Sequence, residues 1–214
     1  MVTRGQTWTL EGVAASVLVL AAVVFILQSS IITPLSASTT NQYLEERQQE
    51  LATDVLSGAA SQGELREAIL YWDPDERRFH GAGESGYTSG EMLAVRGLEL
   101  GERLSDGFRQ RGISYNLYVR SPTPEETPAE TPAGAGRFGS DRESLVYQGV
   151  PSDSAVSAST YITLYDDDVL LAADGSETDD RLDDSAANFY ADEAASSDGS
   201  VYTVVEVEIV VWQS

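Results

Sequence analysis

From Gly12 to Ile32 the chain reads GVAASVLVLAAVVFILQSSII, a run without a single charge. Ser16 is its only polar side chain before Gln28, so the run shows no polar face at helical period. About 20 such residues cross about 30 Å of hydrocarbon as a helix. The pattern therefore predicts a transmembrane helix over 12–32, after a leader at 1–11, with Pro34 placed to end or kink it.

Periodicity changes beyond the span. Asn41 to Ala60 predicts a second helix, with Leu44, Gln48, Leu51 and Val55 on one stripe. Glu64 to Trp72 predicts a short helix, stopped by Asp73-Pro74. Asp75 to Gly90 reads as a loop punctuated by glycine. Glu91 to Gln110 predicts one helix, because Leu93, Gly97, Leu100, Leu104 and Phe108 repeat at three and four. Gly112 is its stop.

Strand patterns follow. Ile113 to Arg120 alternates, and Ser144 to Val150, Ala155 to Tyr165 and Val201 to Trp212 are β-like. The last is the strongest. Val201, Thr203, Val205, Val207, Ile209 and Val211 form an apolar face, and a mixed face carries Glu206 and Glu208, as for an antiparallel strand covered on one side. Between strands lie a Pro/Thr/Glu-rich linker, 121–142, and an acidic stretch, Asp174 to Asp184, read as a mobile loop. The fold class is α+β: an N-terminal transmembrane helix, further helices, then an antiparallel sheet of about four strands. The segments are 1–11, 12–32, a helical region with the first strand at 33–120, the linker, and a β-rich part at 143–214.

Charge adds a setting. The net charge is −22 over 214 residues, and all 13 basic residues are arginine. A disordered acidic tail would lack the 10 Tyr and the β-branched runs seen here. An acidic, lysine-free folding sequence resembles proteins of extreme halophiles. In molar salt the Debye length is about 3 Å, so carboxylates hydrate the surface with little mutual repulsion. The same charge argues against nucleic acid as a partner, since phosphates need cationic clusters. Arg4 precedes the span and Glu45, Glu46 and Glu50 follow it, which by the positive-inside rule places the N-terminus in the cytoplasm and the bulk of the chain outside the cell membrane.

Candidate chemistry is sparse. There are no cysteines, one histidine (His80) and no lysine, which excludes thiolate, Cys-zinc, P-loop and Schiff-base chemistry. Gly81-Ala82-Gly83-Glu84-Ser85-Gly86 matches G-x-G-x-x-G, but polar Asp75 to His80 precedes it where a dinucleotide site needs a buried strand. Asp166-Asp167-Asp168, Asp179-Asp180 and Asp183-Asp184 are hard-ligand candidates without EF-hand spacing, and turn chemistry accounts for the first group. No G-x-S-x-G elbow is present. The expectation is a protein that is not an enzyme, with no cofactor and no metal. Trp72, Trp212 and the tyrosines are read as core. Trp8 stands just before the span, where aromatic residues sit at the membrane interface.

Arg4-Gly5-Gln6-Thr7-Trp8-Thr9-Leu10-Glu11, running straight into the apolar segment, resembles an archaeal type IV prepilin signal. The resemblance covers about the first 32 residues. It implies cleavage between Gly5 and Gln6 by a prepilin peptidase and retention of the helix as a filament core. It also implies an assembly contact from Glu11 to the α-amine of a neighbouring pilin-like subunit. A carboxylate in an apolar bundle needs such a partner. Glu11 stands sixth after Gly5, where the family acid usually stands fifth. The whole chain also resembles haloarchaeal membrane proteins that open with an RGQTWTLEG-like stretch. The expected role is a structural pilin-like or pseudopilin-like subunit, with the lipid bilayer and other such subunits as partners. The alternative is an uncleaved, membrane-tethered surface domain that binds a protein.

Overall fold

The computed structural model describes residues 3–122, 138–184, 188–191 and 200–213, with side chains described outside 3–10, 25–41, 122 and 138–141. Two compact units are present, Met1–Glu46 and Arg47–Ser214. Helix α1 is assigned over Thr3–Ser61, through Pro34. Of the two outcomes expected at Pro34, an end or a kink, the helix therefore does not end there. A proline removes one ladder bond, while the turns on either side keep theirs. Described side chains of α1 run from Glu11 to Val24 and resume at Gln42. Among the described residues no helix is long and apolar enough to cross a membrane.

The second unit joins helices to sheet around one core. From α1 it receives Gln48, Ala52, Leu56 and Ala59, all buried. The expected stripe is thus rotated: Leu51 and Val55 are only partly buried, and Leu44, in the first unit, is exposed. A Cβ on Gly107 would lie 2.8 Å from Val55 Cγ2, so a neighbouring helix passes too close for a larger side chain. Short α2 (Glu64–Leu70) follows, burying Leu65, Ala68 and Ile69.

Trp72 does not extend α2. It begins β1 (Trp72–Asp73), which pairs antiparallel with β2 (Arg78–Phe79), inside the segment expected to be loop. Asp73 Oδ1 accepts the N–H groups of Asp75 (2.9 Å) and Glu76 (3.0 Å) and so closes the turn. The helix expected over Glu91 to Gln110 is two helices, α3 (Ser89–Ala94) and α4 (Leu100–Gly107), followed by a 3-10 turn at Arg109–Arg111. Thr88 and Glu91 form a capping box that starts α3. Gly97, at φ 88°, turns the chain between the two helices. Gly112 adopts φ 70° at the end of the 3-10 turn, the expected stop.

A four-stranded antiparallel sheet completes the unit, so the architecture is mixed helix and sheet. Its strands are β3 (Ile113–Pro122), β4 (Phe138–Val146), β5 (Val156–Tyr165) and β8 (Val201–Gln213), in the order β4-β3-β8-β5. Thr203, Val205, Val207, Ile209 and Val211 of β8 are buried and Glu206 and Glu208 on the other face are half-buried, as read from sequence, but Val201 of the expected apolar face is exposed, and Tyr202 and Trp212 of the mixed face are buried near the ends of the strand. β4 starts and ends earlier than expected and pairs with β3 out to Pro122↔Phe138. Both ends of the 121–142 segment therefore belong to strands of one sheet. Residues 123–137, the rest of that segment, lie outside the described residues.

The acidic stretch read as a mobile loop contains β7 (Glu177–Arg181), paired with β6 (Val169–Leu171). Gly175 at φ 83° makes the turn, and Asp174 Oδ1 accepts Ser176 N–H at 3.0 Å. Backbone pairing and turn chemistry, rather than apolar alternation, make this ribbon.

Candidate functional site

The N-terminal residues singled out by sequence, Gly5, Gln6, Trp8 and Glu11, all lie within α1. The side chains of Gly5, Gln6 and Trp8 are outside the described residues. Glu11 is exposed, and among the described residues it has no ion-pair partner. Beyond it Val13, Val17, Leu18, Val19, Leu20, Val23 and Val24 are all exposed, with Leu18 at 71 %. At about 100° per residue these positions surround the helix rather than form a stripe. Ser16 turns its hydroxyl back onto Val13 O at 2.8 Å, so it presents no free donor to the surroundings. The arrangement is a lone carboxylate at the head of an apolar cylinder.

Two clefts lie in the second unit. The first, about 430 Å³, runs between the β1–β2 ribbon, the Gly81–Gly86 turn and Arg142–Ser144 of β4. Its glycine-rich turn is structural. Gly86 has φ 97°, and a Cβ there would stand 2.5 Å from Ser144 O. That approach lets Tyr87 N–H donate to Leu145 O and Tyr147 N–H donate to Tyr87 O, both at 2.8 Å. The G-x-G-x-x-G spacing thus serves a turn laid along β4 and opens no helix onto a phosphate.

Charges of both signs line this cleft: Glu76, Arg77, Arg78, Glu84, Arg142 and Glu143. Glu76 Oε2 takes the Arg78 guanidinium, with Nε at 2.7 Å. Arg142 lies over the Tyr118 ring, 3.8 Å from its centroid, a cation–π contact. Burial raises the pKa of Glu143 above the ordinary carboxylate value. Alternating charge of this kind suits a polar surface rather than an apolar small molecule.

His80 lies near this cleft, with Nδ1 3.5 Å from Asp73 Oδ2 and its ring edge-on to Tyr71. Tyr87 Oη donates to the His80 carbonyl at 2.5 Å. Sequence reading did not find this His–Asp pair, which the β1–β2 ribbon creates.

The second cleft, about 380 Å³, lies between α2, the turn before β6 and the β6–β7 ribbon. Here Asp166-Asp167-Asp168 links β5 to β6. Asp168 Oδ2 accepts Tyr165 N–H at 2.8 Å, and both its oxygens are held by Arg66, whose guanidinium also lies over the Tyr165 ring. Turn and ion pair together occupy the carboxylate. Among the described residues no group of three His, Cys, Asp or Glu is arranged to hold a metal. Trp72 and Trp212 are buried, and Trp72 stacks edge-on against Phe79, Phe189 and Tyr190 and donates Nε1–H to Asn188 O.

The chain belongs to a family of unknown function (DUF7288), whose family model matches residues 4–211. No curated protein and no solved structure matches it.

Proposed function

We propose that this member of the family is a structural pilin-like or pseudopilin-like subunit of an archaeal cell-surface assembly. The apolar N-terminal half of α1 anchors it in the bilayer, and the acidic α+β unit faces outward. The observation that carries this reading is the apolar cylinder from Val13 to Val24, exposed all round. Such a helix is stable only in lipid or against like helices. The uncharged sequence continues to Ile32, long enough for a span. Trp8 sits at the interface. A prepilin peptidase cuts between Gly5 and Gln6, and Glu11 pairs with the ammonium of a neighbouring subunit. The role is assembly rather than catalysis, and neither cofactor nor nucleic acid is needed for it.

One observation favours a second reading, an uncleaved tether that presents a protein-binding surface. Glu11 stands one position beyond the usual assembly acid, which turns it by about 100° on the helix. Mass spectrometry of the N-terminus of membrane-extracted protein decides between them. A chain beginning at Gln6 supports the subunit role. A chain beginning at Met1 or Val2 overturns it in favour of the tether.

A further inference from the structure

The cleft between the β1–β2 ribbon, the Gly81–Gly86 turn and β4 collects charged side chains that the fold itself does not use. Of the six, Glu76 and Arg78 pair with each other. Among the described residues the side chains of Arg77, Glu84 and Glu143 make no hydrogen bond or ion pair, and Arg142 touches only the Tyr118 ring. Glu143 is half-buried and stands opposite Val119 of β3. Opposed residues of an antiparallel pair share a face, so its carboxylate leaves the sheet on the core side. It is near enough to Tyr190 for its charge to act on that hydroxyl. Yet Tyr190 Oη is buried and bonds nothing, so the carboxylate oxygens are turned from it and left to the cleft. Arg77 is held at φ 52°, a left-handed conformation that costs a side chain strain and that glycine adopts freely. Its strain is spent at the wall of this cleft, as strained residues often are at ligand sites.

We infer that this cleft binds a neutral saccharide through neighbouring hydroxyls. Charge balance selects a neutral ligand. Among the described residues three arginines line the cleft with three glutamates, so a cation or an anion meets as many like charges as opposite ones. Hydrogen-bonding capacity selects hydroxyls. A carboxylate offers two acceptor oxygens, and a guanidinium offers a planar fork of donors. Two adjacent ring hydroxyls match either, because each hydroxyl both donates and accepts. An apolar ligand would strip water from these charges and leave them unpaired. Arg142 is steadied for this task by its cation–π contact, 3.8 Å from the Tyr118 ring centroid. The volume of about 430 Å³ lies within the usual range for small-ligand sites, about 300–1,000 Å³. Binding here uses no part of α1 and stands apart from the N-terminal reading.

Saturation-transfer NMR on the full-length chain, in molar salt and a detergent without a sugar headgroup, makes the test. The probes are the methyl glycosides of glucose, galactose and mannose at millimolar concentration. At least one should receive transfer from the protein. Arg77→Gly and Glu143→Leu should each weaken that glycoside about tenfold, the loss expected for a hydrogen bond to a charged group. Arg77→Gly should at the same time keep or raise the Tm, because it relieves the left-handed strain. A residue that served the turn alone would leave binding unmoved, so this variant reads the site even if Glu143→Leu folds poorly. Methyl glucuronide and methyl glucosaminide, one anionic and one cationic, should bind no tighter than the neutral glycoside. No transfer to any of the three methyl glycosides overturns the inference. So does transfer that Arg77→Gly leaves unchanged, or a charged derivative bound about tenfold tighter than the neutral one.

Discussion

Arg103→Met tests whether the helical layer depends on one buried charge pair. Arg103 of α4 holds Glu64 of α2 through Nε to Oε2 at 2.6 Å and Nη2 to Oε1 at 2.5 Å. The Glu64 side chain is 5 % exposed, whereas Arg103 retains 28 %. Methionine keeps the length of the stem and removes the guanidinium, leaving a carboxylate buried without its partner. Breaking such a pair costs about 3–5 kcal/mol. The partial exposure of Arg103 lets water reach the site and favours the lower figure, about 3 kcal/mol. For a chain of this size that lowers the Tm by about 6–12 °C. Thermal melts of parent, Arg103→Met and the double variant Glu64→Met/Arg103→Met in molar salt give the measurement. The double variant should recover most of the loss, because it leaves no orphaned charge. Repeating the melts at low salt separates two electrostatic effects. Surface self-repulsion from the net charge of −22 should lower every Tm, while the gap between parent and Arg103→Met should persist, because a buried pair is little screened. A single variant within about 1 kcal/mol of the parent would show that the pair behaves as a surface pair, and the reasoning would fail.

Two further outcomes follow from close packing and from burial. Gly86→Ala places a Cβ 2.5 Å from Ser144 O at a positive φ, and should cost about 2 kcal/mol or more while speeding amide exchange at Tyr87 and Tyr147; unchanged exchange would refute the close approach. Burial pushes Tyr115 up to about 12 and raises Tyr87 and Tyr190 as well. A raised folded-state value leaves that stability intact below the unfolded value of about 10 and removes it as pH rises toward 12. For Tyr115 alone this amounts to about 3 kcal/mol. Alkaline unfolding in that window, followed by tyrosinate absorbance, should be cooperative; gradual ionisation of all ten tyrosines without loss of fold would contradict it.

Legibility followed how local each determinant is. β8 was readable because its alternation is period two over a long strand and one face meets the core. The break between α3 and α4 was not, since Leu93, Leu100, Leu104 and Phe108 keep helical spacing across it. Only the left-handed Gly97 and the contact between α4 and the end of α3, where a Cβ on Gly101 would lie 2.6 Å from Met92 O, interrupt that spacing. The β6–β7 ribbon was hidden for the opposite reason: Glu-Thr-Asp-Asp-Arg has no apolar face, and its strand exists through pairing with Val169–Leu171.

By itself the sequence determined the uncharged apolar run, the absence of cysteine and lysine chemistry, the acidic charge balance, and a mixture of helix with a four-stranded antiparallel sheet. Each of these rests on composition or on a spacing within a few residues. Apart from the neighbouring Glu76–Arg78 pair, the carboxylates taken by arginine in the core of the fold were decided by tertiary structure. Arg66 and Asp168 are 102 positions apart and Arg103 and Glu64 are 39, so no local pattern marks them among 35 acids. The same holds for the His80–Asp73 pair, which a two-residue ribbon turns together, and for the place of β5 at the end of the strand order, beside β8.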